Sequence, residues 1–171
     1  MMQLNKSIVL VGMMGSGKST IGYLLSKKLA LKFIDIDREI EKETNEKIVN
    51  IFKFQGEENF RKIEEKITLK ILKSQNSVIA LGGGGFINAN IRKEALSKCI
   101  TIWLSWNNST ILKRITKSKK RPIAYDASNF EITRMITDRS KIYSLSKFKI
   151  NCEKITKSMI VKKISKIYER L

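Results

Sequence analysis

A glycine-rich loop at residues 12–19 restricts the possible folds of this chain more than any other feature. Its letters, GMMGSGKS, match the complete pattern G-x-x-x-x-G-K-[ST]. The loop follows a short apolar run at residues 7–12 and precedes a segment with apolar residues at helical spacing, which is the context that this pattern requires. Short, wholly apolar strands are typical of parallel sheets covered by helices. The loop therefore predicts a phosphate-binding turn within an α/β fold.

The residue types in the loop suit the phosphates of a nucleoside triphosphate. Glycines let the backbone turn sharply, so that its N–H groups and the N-terminus of the next helix surround an anion. Lys18 is placed to reach the β- and γ-phosphates, and Ser19 offers a hydroxyl ligand for Mg²⁺. The predicted phosphate contacts are Gly15, Ser16, Gly17, Lys18, Ser19 and Thr20. The Asn-Lys-x-Asp guanine motif of GTPases does not occur in the sequence.

Strand and helix signals alternate along the whole chain. Apolar runs predict strands at residues 7–12, 31–37, 77–81, 99–105 and 148–152. Besides the helix after the glycine-rich loop, helical spacing predicts helices at residues 37–44, 47–54, 57–73, 90–97, 109–116, 129–143 and 157–171. This order predicts a doubly wound, five-stranded parallel sheet flanked by helices. No linker or repeat divides the chain, so we expect one domain over residues 1–171.

Composition places the chain among globular proteins that work in water. It has 171 residues, of which 42% are hydrophobic and 29% charged. No apolar run approaches the roughly 20 residues of a membrane span. The two cysteines, Cys99 and Cys152, lack the spacing of a metal site, and we expect buried, inert thiols in a cytoplasmic protein. Because the sequence has no histidine, any catalytic base must be a carboxylate, a lysine or water.

The chain is strongly basic, with a formal net charge of +18. Such a field attracts nucleic acids, anionic membranes or small anions. However, the densest basic run, residues 117–121, is short and has no interleaved aromatic residues for base stacking. Coding rich in A and T would also produce abundant Lys, Ile and Asn. We therefore expect no nucleic-acid or membrane partner, and keep a nucleic-acid-binding module as the alternative class.

Two carboxylates follow the second predicted strand. If the strand continues to residue 37, its alternation puts Asp35 and Asp37 on one side, at the sheet edge that also carries the glycine-rich loop. One carboxylate is then placed to hold a metal through water, and the other to face an acceptor hydroxyl. The alternative is that Asp37 serves as the N-cap of the next helix.

Several motifs, taken in order, resemble those of shikimate kinases. After the glycine-rich loop and Asp-x-Asp come FRKIEE at residues 60–65, GGGG at 82–85, KKRPI at 119–123 and DRSKIY at 138–143. The resemblance covers nearly the whole chain. It implies a P-loop fold like that of nucleoside monophosphate kinases, with a mobile lid at about residues 115–128 and substrate-binding helices at about 37–64. It also implies a monomer that transfers a phosphate from ATP, with Mg²⁺, to the 3-hydroxyl of shikimate, on the route to chorismate and the aromatic amino acids.

The resemblance assigns roles to individual residues. Arg61 and Arg139 match the arginines that bind the shikimate carboxylate, for which a guanidinium offers a two-point fork. The glycine turn, Gly82, Gly83 and Gly84, is expected to meet the substrate through its backbone. Asp37 matches the residue that holds the reacting hydroxyl, and Asp35 matches an outer-sphere metal carboxylate.

The remaining assignments concern the nucleotide side and the support of Arg61. Arg121 matches the lid arginine that contacts the transferred phosphate, and Arg114 matches a position that packs on adenine. Glu64 is expected to orient Arg61. At position 80 this sequence has alanine, where its relatives often have serine or threonine. At position 151 it has asparagine, where they often have aspartate, so the contacts of residues 151–156 are left open.

Simpler interpretations of the arginines also remain open. Arg61 has Glu57 and Glu65 at spacings of four, so it could form only a surface ion pair. Arg139 could pair with Asp138 or Glu131. A gluconate kinase of the same fold is the nearest alternative activity, because gluconate also offers a carboxylate.

Overall fold

The structure is a computed structural model that describes residues 6–117 and 127–171. Five parallel strands form one sheet, in the spatial order β2-β3-β1-β4-β5. The strands are β1 (Ile8–Val11), β2 (Lys32–Asp35), β3 (Ser77–Ala80), β4 (Ile100–Ser105) and β5 (Phe148–Asn151). The predicted fold class, a doubly wound five-stranded parallel sheet, is confirmed.

Within the described residues, six α-helices lie between these strands and a seventh follows the last of them. They are α1 (Lys18–Leu29), α2 (Ile36–Thr44), α3 (Ile48–Ile71), α4 (Ala89–Lys98), α5 (Asn108–Thr116), α6 (Asn129–Tyr143) and α7 (Lys157–Glu169). Helix α3 contains a break at Gly56, whose φ of 80° and ψ of 168° are not helical. The sequence predicted two helices here, and the glycine is what separates them. No helix within the described residues is long and apolar enough to cross a membrane.

The central strand divides its side chains between two core clusters. Ile8 and Leu10 point towards a cluster that includes Leu25 of α1 and Ile160 and Ile164 of α7. The alternate residues of β1 belong to the other cluster, which is built with α2, α3, α4 and α6. Both faces of the sheet are therefore covered, which explains why the strands read as continuous apolar runs.

One local prediction about chain direction is wrong. The second strand ends at Asp35 rather than at residue 37, because Asp35 caps α2 by accepting a hydrogen bond from the Arg38 N–H at 3.4 Å. After the glycine turn, Gly85–Ile87 form a short 3₁₀ helix that leads into α4. Both features lie at the carboxyl edge of the sheet, where parallel α/β folds bind ligands.

Candidate active site

The glycine-rich loop wraps around the side chain of Lys18. Gly12, Gly15 and Gly17 have φ values of 146°, 78° and 91°, which are positions that favour glycine. The Lys18 ammonium donates to the carbonyl oxygens of Gly12 at 2.7 Å and Met13 at 3.0 Å. The loop therefore positions one positive charge at the N-terminus of α1.

A cavity of about 300 Å³, here called the phosphate-loop cavity, opens beside this lysine. Its lining includes Met14, Gly15, Gly17, Lys18, Ser19, Thr20, Asp35, Asp37, Leu81 and Gly83. The side chains of Ser19 and Thr20 are exposed, whereas Lys18 is buried. The structure thus brings most of the predicted phosphate and metal residues to one cavity. Ser16 is buried beneath the loop, and its hydroxyl has no hydrogen-bond partner among the described residues.

Asp35 and Asp37 both line this cavity, but not for the reason that strand alternation suggested. Asp35 is the N-cap of α2, and Asp37 lies in the first turn of that helix. The alternative that Asp37 is the N-cap is therefore also wrong. The start of α2 still brings both carboxylates to the phosphate-loop cavity. The two acids therefore lie together beside the loop, as predicted, but at the start of a helix rather than along a strand.

A second cavity of about 290 Å³, here called the arginine cavity, adjoins the first. Arg61 and Arg139 both line it, together with Glu64, the glycine turn and an apolar wall formed by Ile48, Val49, Phe52 and Phe60. Met14, Asp37 and Gly83 line both cavities. The two spaces therefore meet beside the Asp37 carboxylate.

Arg61 is held by two carboxylates. Its Nη1 donates to Glu64 Oε2 at 2.6 Å, while Nη2 and Nε donate to Glu57 Oε1 at 3.0 and 3.2 Å. The expected role of Glu64 in orienting Arg61 agrees with this contact. Glu65, the other acid considered for a surface pair, instead accepts hydrogen bonds from Asn88 and Asn90.

Arg139 projects from α6 into the same cavity. Its Nη1 is buried and has no hydrogen-bond partner among the described residues. The acids that could have paired with it are used elsewhere, since Asp138 pairs with Lys141 and Arg134, and Glu131 caps α6 together with Ser128. A buried guanidinium nitrogen without a protein acceptor is suited to an anionic ligand.

Burial dominates the electrostatics of the arginine cavity. It raises the pKa of Glu64, although Arg61 opposes the effect, and the Asp37 carboxylate raises that pKa further. Burial also raises the pKa of Tyr143 to about 12, against the opposing influence of Arg139. Tyr143 therefore stays neutral and donates its hydroxyl hydrogen to the Gly83 carbonyl oxygen, which fastens α6 to the glycine turn.

The glycine turn approaches the charged side chains too closely for any other residue. A Cβ atom at Gly82 would lie 2.6 Å from Glu64 Oε1 and 2.8 Å from Asp37 Oδ1. One at Gly84 would lie 2.5 Å from Arg61 Nη1. At Gly83 the nearest atom is the Met14 backbone nitrogen, at 3.1 Å. Close packing against the acids and Arg61 thus explains the glycines at positions 82 and 84.

On the other side of the phosphate loop, Arg114 lies against Trp106. The Arg114 Cζ is 3.8 Å from the Trp106 ring centroid, and its Nη1 donates to the Gly15 carbonyl oxygen at 3.2 Å. Arg114 therefore lies next to the loop, while its contact with adenine stays a prediction. Arg121 and most of the predicted lid fall in residues 118–126, outside the described residues.

Several residues of the site were not assigned from the sequence. Met14 lines both cavities, Tyr143 holds the glycine turn, and Trp106 contacts the phosphate loop. Tyr143 is part of the DRSKIY motif, which could have drawn attention to it. Nothing in the pattern around Trp106 distinguishes it from a core residue.

Comparisons with known proteins agree with this geometry. A family model described as shikimate kinase matches residues 14–169. A curated shikimate kinase of Persephonella marina is 39% identical over 160 residues, which cover 93% of this chain and 96% of the relative.

Solved structures give the same result. A structure described as shikimate kinase from Acinetobacter baumannii in complex with shikimate has a TM-score of 0.90 at 28% identity and covers 96% of this chain and 93% of that chain. The Aquifex aeolicus shikimate kinase structure has a TM-score of 0.85 at 35% identity and covers 95% of this chain and 96% of that chain. This chain belongs to the shikimate kinase family.

Proposed function

We propose that this chain transfers the γ-phosphate of ATP to the 3-hydroxyl of shikimate, giving ADP and shikimate 3-phosphate. The observation that carries the proposal is the meeting of two cavities at Asp37 and Gly83. One is lined by the phosphate loop and the other by two arginines, so a donor phosphate and an acidic acceptor can be held on either side of one carboxylate. Family membership supports the same reaction.

The arginine cavity is suited to a small carboxylic acid. Arg61 and Arg139 supply the positive charge, and the unpartnered Nη1 of Arg139 is a buried donor directed at such a ligand. The backbone of Gly82, Gly83 and Gly84 can come close to the ring because no side chain intervenes. The apolar wall suits the carbon face of the ring, and holding the acceptor in this way removes much of the entropy barrier to phosphoryl transfer.

Asp37 is proposed to hold the reacting hydroxyl and to take its proton. The transition state of phosphoryl transfer is loose in most analyses, so little negative charge has to build up on the attacking oxygen. We therefore expect orientation by Asp37 to contribute more than proton removal does. Its place at the boundary of both cavities is what supports this role.

The phosphate-loop cavity is proposed to hold the ATP phosphates. Lys18 would exchange its loop carbonyls for phosphate oxygens, and backbone N–H groups from Gly15 to Thr20 would surround the charge. The Ser19 hydroxyl and the Asp35 carboxylate are hard oxygen donors beside that cavity, which fits Mg²⁺ held by few protein ligands together with phosphates and water. When bound, Mg²⁺ neutralises charge on the phosphates.

The remaining assignments rest on the family resemblance. Arg114 is proposed to pack on adenine and Arg121 to contact the transferred phosphoryl group. Residues 1–171 are proposed to form one domain, with substrate-binding helices at about 37–64 and a lid at about 115–128 that closes during the reaction. The break at Gly56 within α3 is where the substrate helices are proposed to bend.

We also propose a cytoplasmic monomer without a nucleic-acid or membrane partner. Cys99 and Cys152 are unpaired and buried, which suits a reducing compartment. Light scattering with size-exclusion chromatography tests the monomer, and an oligonucleotide titration at several salt concentrations tests the alternative use of the basic surface.

An acceptor panel tests the proposed activity. ADP release is measured with Mg²⁺-ATP and, in turn, shikimate, gluconate and nucleoside monophosphates. The proposal expects release with shikimate alone, and expects Lys18→Ala to lower kcat/KM by roughly 100-fold or more. Release with gluconate instead of shikimate, or full activity of the variant, would contradict it.

A further inference from the structure

The indole of Trp106 is attached to the outer side of the phosphate loop. Its Nε1 donates to the Ser16 carbonyl oxygen at 2.9 Å, across 90 positions of sequence. The Trp106 ring packs against both core clusters, at the point where β4 leaves the sheet. The donor is therefore fixed to the rigid part of the fold rather than to the loop itself.

This contact sets the orientation of one peptide unit. The carbonyl of Ser16 and the N–H of Gly17 belong to the same peptide, and in a trans peptide they point in opposite directions. The described residues contain no cis peptide bond. With the Ser16 carbonyl turned outward to Trp106, the Gly17 N–H is directed to the opposite side, where Gly17 lines the phosphate-loop cavity.

The same peptide unit is otherwise easy to rotate. Gly17 has a φ of 91°, and glycine populates both signs of φ at little cost, so the unit has few intrinsic constraints. The neighbouring N–H of Ser16 already donates to the Met13 carbonyl oxygen at 3.1 Å. Rotation of the Ser16–Gly17 peptide would turn the Gly17 N–H, a hydrogen-bond donor to phosphate, away from the cavity. It would put in its place a carbonyl oxygen, which repels phosphate.

Trp106 also supports the preceding peptide indirectly. Arg114 stacks on its ring, with Cζ 3.8 Å from the centroid, and donates to the Gly15 carbonyl oxygen at 3.2 Å. Two successive carbonyls of the loop are thus held from outside, one by the indole N–H and one by a guanidinium that the indole ring positions.

We propose that Trp106 is a positioning residue for phosphate binding, which locks the Ser16–Gly17 peptide so that the Gly17 N–H faces the triphosphate. This inference rests on the proposed binding of ATP phosphates by the loop. It assigns Trp106 to the preorganisation of the anion site rather than to contact with the nucleotide.

The test compares Trp106→Phe with the wild-type protein. Phenylalanine keeps an aromatic ring for packing and for Arg114, but it has no N–H donor. Binding is measured by calorimetry with Mg²⁺-tripolyphosphate, which has phosphates but no base, and with shikimate. Loss of the indole donor should weaken tripolyphosphate binding by about threefold to tenfold and should leave shikimate binding unchanged.

Trp103→Phe is the matched control. Trp103 lies three residues earlier, within β4, and its ring contacts Tyr143 and Lys149 rather than the loop. The Trp103→Phe substitution should leave tripolyphosphate binding unchanged. Unchanged binding in Trp106→Phe would overturn the proposal. Weaker ATP binding with unchanged tripolyphosphate binding would also overturn it, because it would assign Trp106 to the base through Arg114.

A measurement on the wild type keeps the proposal testable if Trp106→Phe does not fold. The protein has two tryptophans, so a ¹⁵N spectrum carries two indole N–H signals. The Trp106 signal should be protected from solvent exchange and should shift when tripolyphosphate saturates the loop; rapid exchange would contradict the bond to Ser16. Neither experiment uses phosphoryl transfer, so failure here is separate from failure of the acceptor panel.

Discussion

The Nη1 atom of Arg61 lies 2.6 Å from Oε2 of Glu64, a buried carboxylate on the next turn of α3. The opposite edge of the same guanidinium is paired with Glu57, whose side chain is 58% exposed. Arg61 therefore has one permanent partner inside the protein and one that water can replace. We expect a ligand carboxylate to replace the exposed Glu57 at Arg61 rather than the buried Glu64.

Replacing Arg61 by lysine tests the two-point recognition of a carboxylate. Lysine keeps the positive charge but cannot donate in parallel to two oxygens. We expect the KM for shikimate in Arg61→Lys to rise by about tenfold or more, the size of one lost charge-assisted hydrogen bond, while the KM for ATP changes less than about twofold. Steady-state kinetics with each substrate varied in turn measure both values. Equal rises in both would argue for a general disturbance of the fold.

Removing the charge of Glu57 should lower the KM for shikimate, whereas Arg61→Lys should raise it. Because Glu57 occupies the Nε and Nη2 edge of Arg61, Glu57→Gln should free that edge and lower the KM for shikimate by roughly twofold to fivefold, the range of an exposed ion pair. Glu58→Gln is the control, since Glu58 pairs with Lys62 on the surface, and it should change nothing. A higher KM in Glu57→Gln would show instead that Glu57 orients Arg61 for the ligand.

The glycine turn allows a comparison of two neighbouring alanine substitutions. A Cβ at Gly84 would come within 2.9 Å of three guanidinium atoms of Arg61, whereas a Cβ at Gly85 meets nothing closer than 3.5 Å. Gly84→Ala should displace Arg61 and raise the KM for shikimate severalfold, and Gly85→Ala should leave it unchanged. Similar kinetics for the two variants would contradict the role of close packing at Gly84.

The pH dependence of stability tests the buried state of Glu64. Burial raises its pKa above the ordinary 4.5, so its neutral form stabilises the folded protein fully below that pH, and this contribution is lost as pH rises through the folded pKa. In urea unfolding, the wild type should therefore lose stability relative to Glu64→Gln as pH rises above about 4.5.

Glu65→Gln is the matched control for this pH series. Hydrogen bonds from Asn90 and Asn88 lower the pKa of Glu65, so its contribution is present above the ordinary pKa and is lost as pH falls. The difference in stability between Glu65→Gln and the wild type should therefore change with pH in the sense opposite to that of Glu64→Gln. A pH-independent difference for Glu64→Gln would contradict a raised pKa.

Local patterns in the sequence predicted the phosphate loop and the sheet, because each depends on few neighbouring residues. Gly17, Lys18 and Ser19 form a site by adjacency in the chain, and the continuous apolar run of β1 is visible in four letters. The order of distant motifs indicated Arg61 and Arg139, and the structure brings both to one cavity.

Other features depend on where the chain turns in space. Asp37 was placed on an extended strand, whereas the strand ends two residues earlier, at Asp35, which caps a helix that begins at Ile36. The hydrogen bond of Trp106 to Ser16 joins residues 90 positions apart, and no periodicity reports such a contact. Glu57 could be recognised as a neighbour of Arg61 by spacing, but not as the partner that a ligand would displace.

Identification of the phosphorylated product tests the proposed reaction most directly. The protein is incubated with Mg²⁺-ATP and shikimate, and the product is followed by ³¹P–¹H correlation spectroscopy. We predict one new phosphate monoester signal, coupled to the proton on carbon 3 of the ring and formed in step with ADP. A phosphate on another hydroxyl, or ADP release that does not depend on shikimate, would contradict the account.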